Sequence, residues 1–220
     1  MRLIEKTITH FNKLIKYKFL TEKEKKIIEF FLKYEPESLD PEIKFKILEI
    51  LKNLVRKSRK NFGMLVVYGW KREWNKEYSS LLDETQNLFE EKNYNLKNIA
   101  IKKAIKIFSE LKEFDGAILI NKDGKILASG VYLINLNPIK VLEKLNKKGP
   151  DLSEAFGFKT KVHTRHITAI TASYLLKDTV VYTVSEEEGI IRAYTKGEII
   201  YSTHPVEQEF IMKKFSNKES

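Results

Sequence analysis

The chain has 220 residues, no cysteine, and forty Lys or Arg against thirty Asp or Glu, a formal net charge of +10. Without cysteine there are no disulfides, iron–sulfur clusters or cysteine zinc sites, and any metal must be held by oxygen or imidazole. No apolar run approaches the roughly 18 residues of a membrane span, and the opening Met1-Arg2-Leu3-Ile4-Glu5-Lys6 lacks the apolar core of a signal peptide, so a soluble, cytoplasmic protein with no membrane partner is expected.

The charge by itself does not call for nucleic acid. Only six of the forty basic residues are arginine. Lysine mixed with glutamate along helices reads as a solvated face, and a positive field concentrates a polyphosphate equally well.

Residues 1–39 are expected to be a helical extension. Ile4, Ile8, Phe11 and Ile15 recur at helical spacing, and Thr21-Glu22-Lys23-Glu24 is a capping box opening a second helix that buries Ile27, Ile28, Phe31 and Leu32. Glu35-Pro36 ends it. Residues 40–206 form the main domain. Asp40 caps a helix with Pro41 at its first position and an apolar stripe of Ile43, Ile47, Ile50, Leu51, Leu54 and Val55. The basic cluster Arg56–Lys60 admits a nucleic-acid contact, yet a helix C-terminus favours cations in any case. Met64–Trp70 is an apolar, β-branched run and reads as a buried strand.

Residues 71–92 are polar, with Leu81, Leu82, Leu88 and Phe89 spaced as a loosely amphipathic helix. Asn95 is expected to cap the next helix, whose stripe is Leu96, Ile99, Ala100, Ala104, Ile107, Phe108 and Leu111. Gly116–Asn121 and Lys125–Ile134 read as two strands joined at Asp123-Gly124, the signature of a two-residue type I′ turn. Asp115 thus sits at a strand entrance, beside backbone that glycine leaves approachable.

Between residues 136 and 161, Pro138 starts a short helix through Leu145, Gly149-Pro150 breaks it, and Asp151–Phe158 is a loop or one helical turn. Thr164 is read as an N-cap of a helix with Ile167, Ile170 and Tyr174 on one face. Thr179–Val184 and Ile190–Tyr194 are strands around Ser185–Gly189, and Glu198–Ser202 is the last strand. Residues 207–220 read as a polar tail, helical at most through Phe215. Strands interleaved with helices give an α/β class.

Three segments carry chemistry. At the helix start Thr164-Arg165-His166, the hydroxyl, the free amides and the dipole favour an anion, and Arg165 offers a forked donor that matches phosphate. The plainer reading is a threonine cap with two solvated neighbours. Asp115 reads either as a catalytic carboxylate or as a turn-capping acid. Ser185–Glu188 reads either as a metal- or hydroxyl-binding turn or as a charged hairpin tip. His10, His163 and His204 make no zinc spacing, and neither the phosphate-binding loop nor the dinucleotide glycine motif occurs.

In order, Asp115-Gly116-Ala117, Gly130-Val131-Tyr132-Leu133, Thr164-Arg165-His166 and Ser185-Glu186-Glu187-Glu188-Gly189 resemble the motif set of the diadenylate cyclase (DAC) domain family, over roughly residues 41–204. The resemblance implies a mixed central β-sheet flanked by helices. It also implies condensation of two ATP molecules into cyclic di-AMP and two pyrophosphates, with Mg²⁺ or Mn²⁺, across two homo-oligomer subunits whose active sites face each other.

By motif position, Asp115, Arg165 and His166 would be catalytic, and Asp115 and Glu187 would serve the metal. Gly116, Ala117, Gly130, Leu133, Thr164, Ser185 and Glu186 would hold the nucleotide, with Leu133 against the adenine. Two positions depart from the family string: His163 stands for a glycine and Ile167 for an arginine. The connection 135–162 is also longer than the family's. The alternatives are a weak or inactive homologue that binds ATP or cyclic di-AMP, and a nucleic-acid-binding α/β domain.

Overall fold

The structure, a computed structural model, describes residues 22–33, 36–81, 94–112 and 115–216. The expected helix around Ile4–Ile15, Thr21 of the capping box, residues 82–93 and residues 217–220 lie outside the described residues. Two helices open the described chain, α1 (Glu22–Lys33) and α2 (Pro41–Lys57). The Asp40 carboxylate accepts from the Glu42 amide at 2.9 Å and Pro41 stands in the first turn of α2, as its sequence dictates. Arg56 and Lys57 occupy the last turn of α2, where the dipole favours cations.

After β1 (Met64–Tyr68) come a 3₁₀ turn (Arg72–Trp74), α3 (Asn75–Tyr78), β2 (Ser79–Leu81), α4 (Ile101–Leu111), β3 (Ala117–Ile120) and β4 (Ile126–Leu133). The chain continues through α5 (Pro138–Lys144), α6 (Leu152–Phe156), α7 (Thr164–Leu175), β5 (Val180–Val184), β6 (Ile191–Thr195), β7 (Glu198–Ser202) and α8 (Pro205–Ser216). The seven strands make one sheet in the order β2-β4-β3-β1-β5-β6-β7. β1 and β3 are parallel and the other pairs antiparallel, so the expected mixed α/β sheet is present.

Because side chains alternate along a strand, each face of the sheet builds its own core. Val66, Tyr68, Ile118, Ile120 and Tyr182 pack against α1, α2 and α4, while Leu65, Val67, Ala117, Leu119, Val131 and Val181 pack against α5, α6 and α7. Phe31 of α1 meets Tyr182 and Tyr201 with ring centroids 6.1 and 5.6 Å apart. Lys44 is buried and donates through Nζ to the Leu32 carbonyl at 3.2 Å. It thereby satisfies an acceptor at the C-terminal end of α1. Burial holds its pKa down to about 8, against a smaller opposing effect of Asp40.

Several local expectations are corrected. Leu81 belongs to an edge strand, β2, that pairs with β4 and is not helical. Asn95 does not cap α4: its side chain accepts from the Lys97 amide at 2.8 Å in a local turn, and the helix starts at Ile101. The hairpin after β3 is not a type I′ turn, since only Gly124 has positive φ (83°). The Gly124 amide reaches the Asn121 carbonyl at 3.0 Å, and the Asn121 amide the Lys125 carbonyl at 3.0 Å. That pattern is a three-residue loop, a type I turn followed by a left-handed glycine.

Residues 207–216 are not a tail. They continue α8, and Glu207 and Ile211 are buried against the sheet. Arg192 of β6 holds Glu207 bidentately, Nε to Oε2 at 2.7 Å and Nη2 to Oε1 at 3.0 Å, and Ser202 Oγ donates to the same carboxylate at 2.6 Å. Burial alone would raise the carboxyl pKa, but the hydrogen bonds and charge of Arg192 outweigh it and hold Glu207 below the usual value.

Candidate functional site

Strand register brings the motifs to one end of the sheet. Ala117 pairs with Val131 of β4 and with Leu65 of β1, and Met64 pairs with Val184 of β5. Asp115 at the entrance of β3, Gly63 before β1, Gly130–Leu133 near the end of β4 and the turn Ser185–Gly189 after β5 therefore share one edge. The N-terminus of α7 arrives at the same edge. Arg165 Nη1 lies 3.3 Å from Glu186 Oε2, and His163 Nε2 lies 2.9 Å from Glu187 Oε1.

Gly116 has a backbone reason. Its φ is +100°, and a Cβ there would lie 2.7 Å from the Gly130 carbonyl carbon and 2.8 Å from the Val131 nitrogen. Only glycine lets the two motif strands approach so closely, and Asp115, which is exposed, is set at the rim by that contact. Ala117 is fully buried in the core beneath it, and Leu133 is half-buried.

Thr164 is the first residue of α7 and not its cap. That position falls to His163, which makes no side-chain capping bond. The free amides of this helix end and the guanidinium of Arg165 are the anion-directed groups. Ser185 is buried and stabilises its turn, with the Glu188 amide 3.4 Å from Oγ and the Gly189 amide 3.0 Å from its carbonyl. Glu186 and Glu187 are exposed. Among the described residues, no three His, Asp or Glu side chains are gathered as a ready metal cage.

His166 lies beneath this surface. It is 4% exposed, and Nδ1 is 2.9 Å from both Tyr194 Oη and Thr183 Oγ1, which are themselves 3.0 Å apart. Burial, and then the charges of Arg192, Arg165 and His163, push its pKa down to about 3. The ring is neutral at physiological pH and fastens α7 to β5 and β6. It is turned to the core and not to the rim.

Two residues of the cluster carry no signal in the motif reading. A Cβ at Gly63 would overlap the Arg165 guanidinium, so this glycine clears the berth for that side chain. Asn61 donates through Nδ2 to the Glu187 carbonyl and ties the β1 approach to the acidic turn. A glycine just before an apolar strand is the only local hint of either.

Fold and cluster together define an α/β domain with an anion-directed helix end and a carboxylate-bearing strand entrance at one sheet edge. A family model described as DAC, DisA bacterial checkpoint controller nucleotide-binding, matches residues 52–199, well over half of the chain, and the chain belongs to that family. No curated protein matches it significantly. Among solved structures it is similar to the hypothetical membrane spanning protein from Bacillus cereus, at 20% identity and TM-score 0.48, covering 80% of this chain and 67% of that one. It is also similar to a double mutant of DacA from Staphylococcus aureus, at 18% identity and TM-score 0.42, covering 88% and 97%. Among the described residues, no helix is long and apolar enough to cross a membrane.

Proposed function

We propose that this chain is a diadenylate cyclase that condenses two ATP molecules into cyclic di-AMP with release of two pyrophosphates. The observation that carries this reading is the convergence of Asp115, Gly130–Leu133, Thr164-Arg165 and Ser185–Glu187 on one sheet edge, around an arginine seated at a helix N-terminus. The free amides of α7 and the Arg165 fork bind the phosphates, and Gly116 leaves the β3 entrance open to the ribose side. Asp115 accepts the proton of the attacking 3′-hydroxyl. That oxygen forms a bond to the α-phosphorus of the facing nucleotide as the α–β phosphoanhydride bond breaks and pyrophosphate leaves. The chemistry asks mainly for positioning and charge stabilisation.

The oxygen donors Asp115 and Glu187 suit a hard cation such as Mg²⁺ or Mn²⁺, which takes one or two carboxylates together with substrate phosphates and water. When bound, that ion neutralises charge on the phosphoryl oxygens. Each motif occurs once in the chain, so two chains must face each other for both bonds to form, an isologous contact.

Ile167, in place of the family arginine, removes one guanidinium from the helix start and favours a second reading, a domain that binds ATP or cyclic di-AMP without turnover. Purified protein incubated with ATP and Mn²⁺ or Mg²⁺, with products read by mass spectrometry over a protein dilution series, separates the two. Cyclic di-AMP formed with specific activity that rises with protein concentration supports the cyclase. ATP binding without product establishes the second reading, and full activity from a monomer refutes the facing arrangement.

A further inference from the structure

A cleft of about 220 Å³ opens between α6, the start of β7 and α8. Strand β6 begins at the site edge, where Ile191 pairs with Val184, and runs away from it to Thr195. The turn into β7 at Lys196-Gly197, which borders the cleft, therefore lies toward the opposite end of the sheet. None of the residues lining the cleft belongs to the motif set.

Lys147, Lys148 and Lys214 line it, against Glu198 and Glu207. Both carboxylates are already held. Arg192 and Ser202 bind Glu207 in the core, and Glu198 takes Lys214 at 2.6 Å. The uncompensated charge is thus on Lys147 and Lys148, and the half-buried Lys147 is the constrained one. Its Nζ donates to a neutral acceptor, the Gly197 carbonyl, at 3.2 Å, and among the described residues it meets no carboxylate at ion-pair distance. Burial lowers its pKa; Glu198 opposes that and Lys214 adds to it. An ammonium carries three donors, so Lys147 can serve a bound anion as well as the carbonyl.

The rest of the cleft is apolar. Ala155, Phe156, Ile199 and Ile211 line it, and Phe210 is 49% exposed, with Lys159 Nζ 4.5 Å from its ring centre. The volume is below the about 300 Å³ at which pockets for drug-sized ligands begin, which suits a single ring.

We propose that this cleft binds a small carboxylate carried on one apolar ring, with the carboxylate on Lys147 and the ring against Phe210 and Ile199. The site needs neither ATP nor a metal, and it stands apart from the nucleotide reading.

The test uses the full chain without nucleotide and benzoate as the probe, followed by calorimetry and by the NMR signal of the Gly197 amide. Benzoate is expected to bind saturably, to move that signal and to remain bound when ATP is added. Benzyl alcohol, a neutral ring of similar size, should bind at least tenfold more weakly. Lys147→Met keeps the apolar stem and removes the charge, so benzoate should weaken about tenfold or more. Phe210→Ala, at an exposed position, should weaken it about three- to tenfold, which keeps the test open even where Lys147→Met fails to fold. Unsaturable benzoate binding, benzyl alcohol binding as tightly, displacement of benzoate by ATP, or undiminished affinity in either folded variant would overturn the proposal.

Discussion

Acidification from pH 7 to 5 should destabilise this protein chiefly through His166. Its folded pKa, about 3, lies below the ordinary 6.5, so between those values the unfolded chain binds a proton that the folded chain does not. Stability is therefore fully present above pH 6.5 and is lost as pH falls towards 3. At about 1.4 kcal/mol per pH unit the full interval corresponds to about 5 kcal/mol, and the part from pH 6.5 to 5 to about 2 kcal/mol. For a domain of this size, 2 kcal/mol lowers a urea midpoint by about 1 M. Urea unfolding at pH 7, 6 and 5 should show that trend in the wild type, and His166→Gln, neutral throughout, should flatten it. Above pH 5 the folded ring should show no titration by NMR. A ring that titrates near pH 6, or a variant that keeps the wild-type slope, would refute the neutral buried imidazole.

Arg192→Met strands the Glu207 carboxylate in the core and should cost about 3–5 kcal/mol, whereas the double variant Arg192→Met/Glu207→Leu should recover much of it; equal losses in thermal unfolding would deny that the pair acts as a unit. Gly116→Ala forces a Cβ against the Gly130 backbone at positive φ, so destabilisation of about 1–3 kcal/mol is expected, and an unchanged melting curve would contradict the close approach. On the proposed reaction, Asp115→Asn should keep ATP affinity and lower turnover by about 100-fold or more, and undiminished turnover would remove it from the chemistry. Arg165→Ala should weaken ATP binding but leave adenosine almost unaffected; equal losses in a titration of both would mean that the helix end had simply been damaged.

The order and chemistry of the motifs were legible in the chain because they are local. Asp40-Pro41 reads as a helix start, the runs at 64–70, 179–184 and 198–202 have strand composition, and Thr164-Arg165 reads as a helix start that carries a forked cation. Helical spacing likewise marked the faces of α1 and α2 that become core, Ile27 and Ile28 on one and Ile43 and Ile47 on the other.

The partners of those segments could not be read the same way, because pairing across the sheet depends on residues far apart in sequence. The short polar run Ser79–Leu81 becomes a strand only because β4 offers it an open edge. The polar segment 207–216 docks as helix because Arg192, alone in a buried strand, requires a buried carboxylate, and Glu207 supplies it. His166, read with its neighbours as a rim residue, turns inward because Tyr194 and Thr183 present two hydroxyls to its ring. Gly63 becomes part of the site only because Arg165, more than a hundred residues later, needs the space its missing side chain leaves. Residue type and spacing thus set which chemistry the chain carries, while long-range packing decided which of those groups face the rim and which the core, since a buried polar group must find its partner wherever in the chain that partner lies.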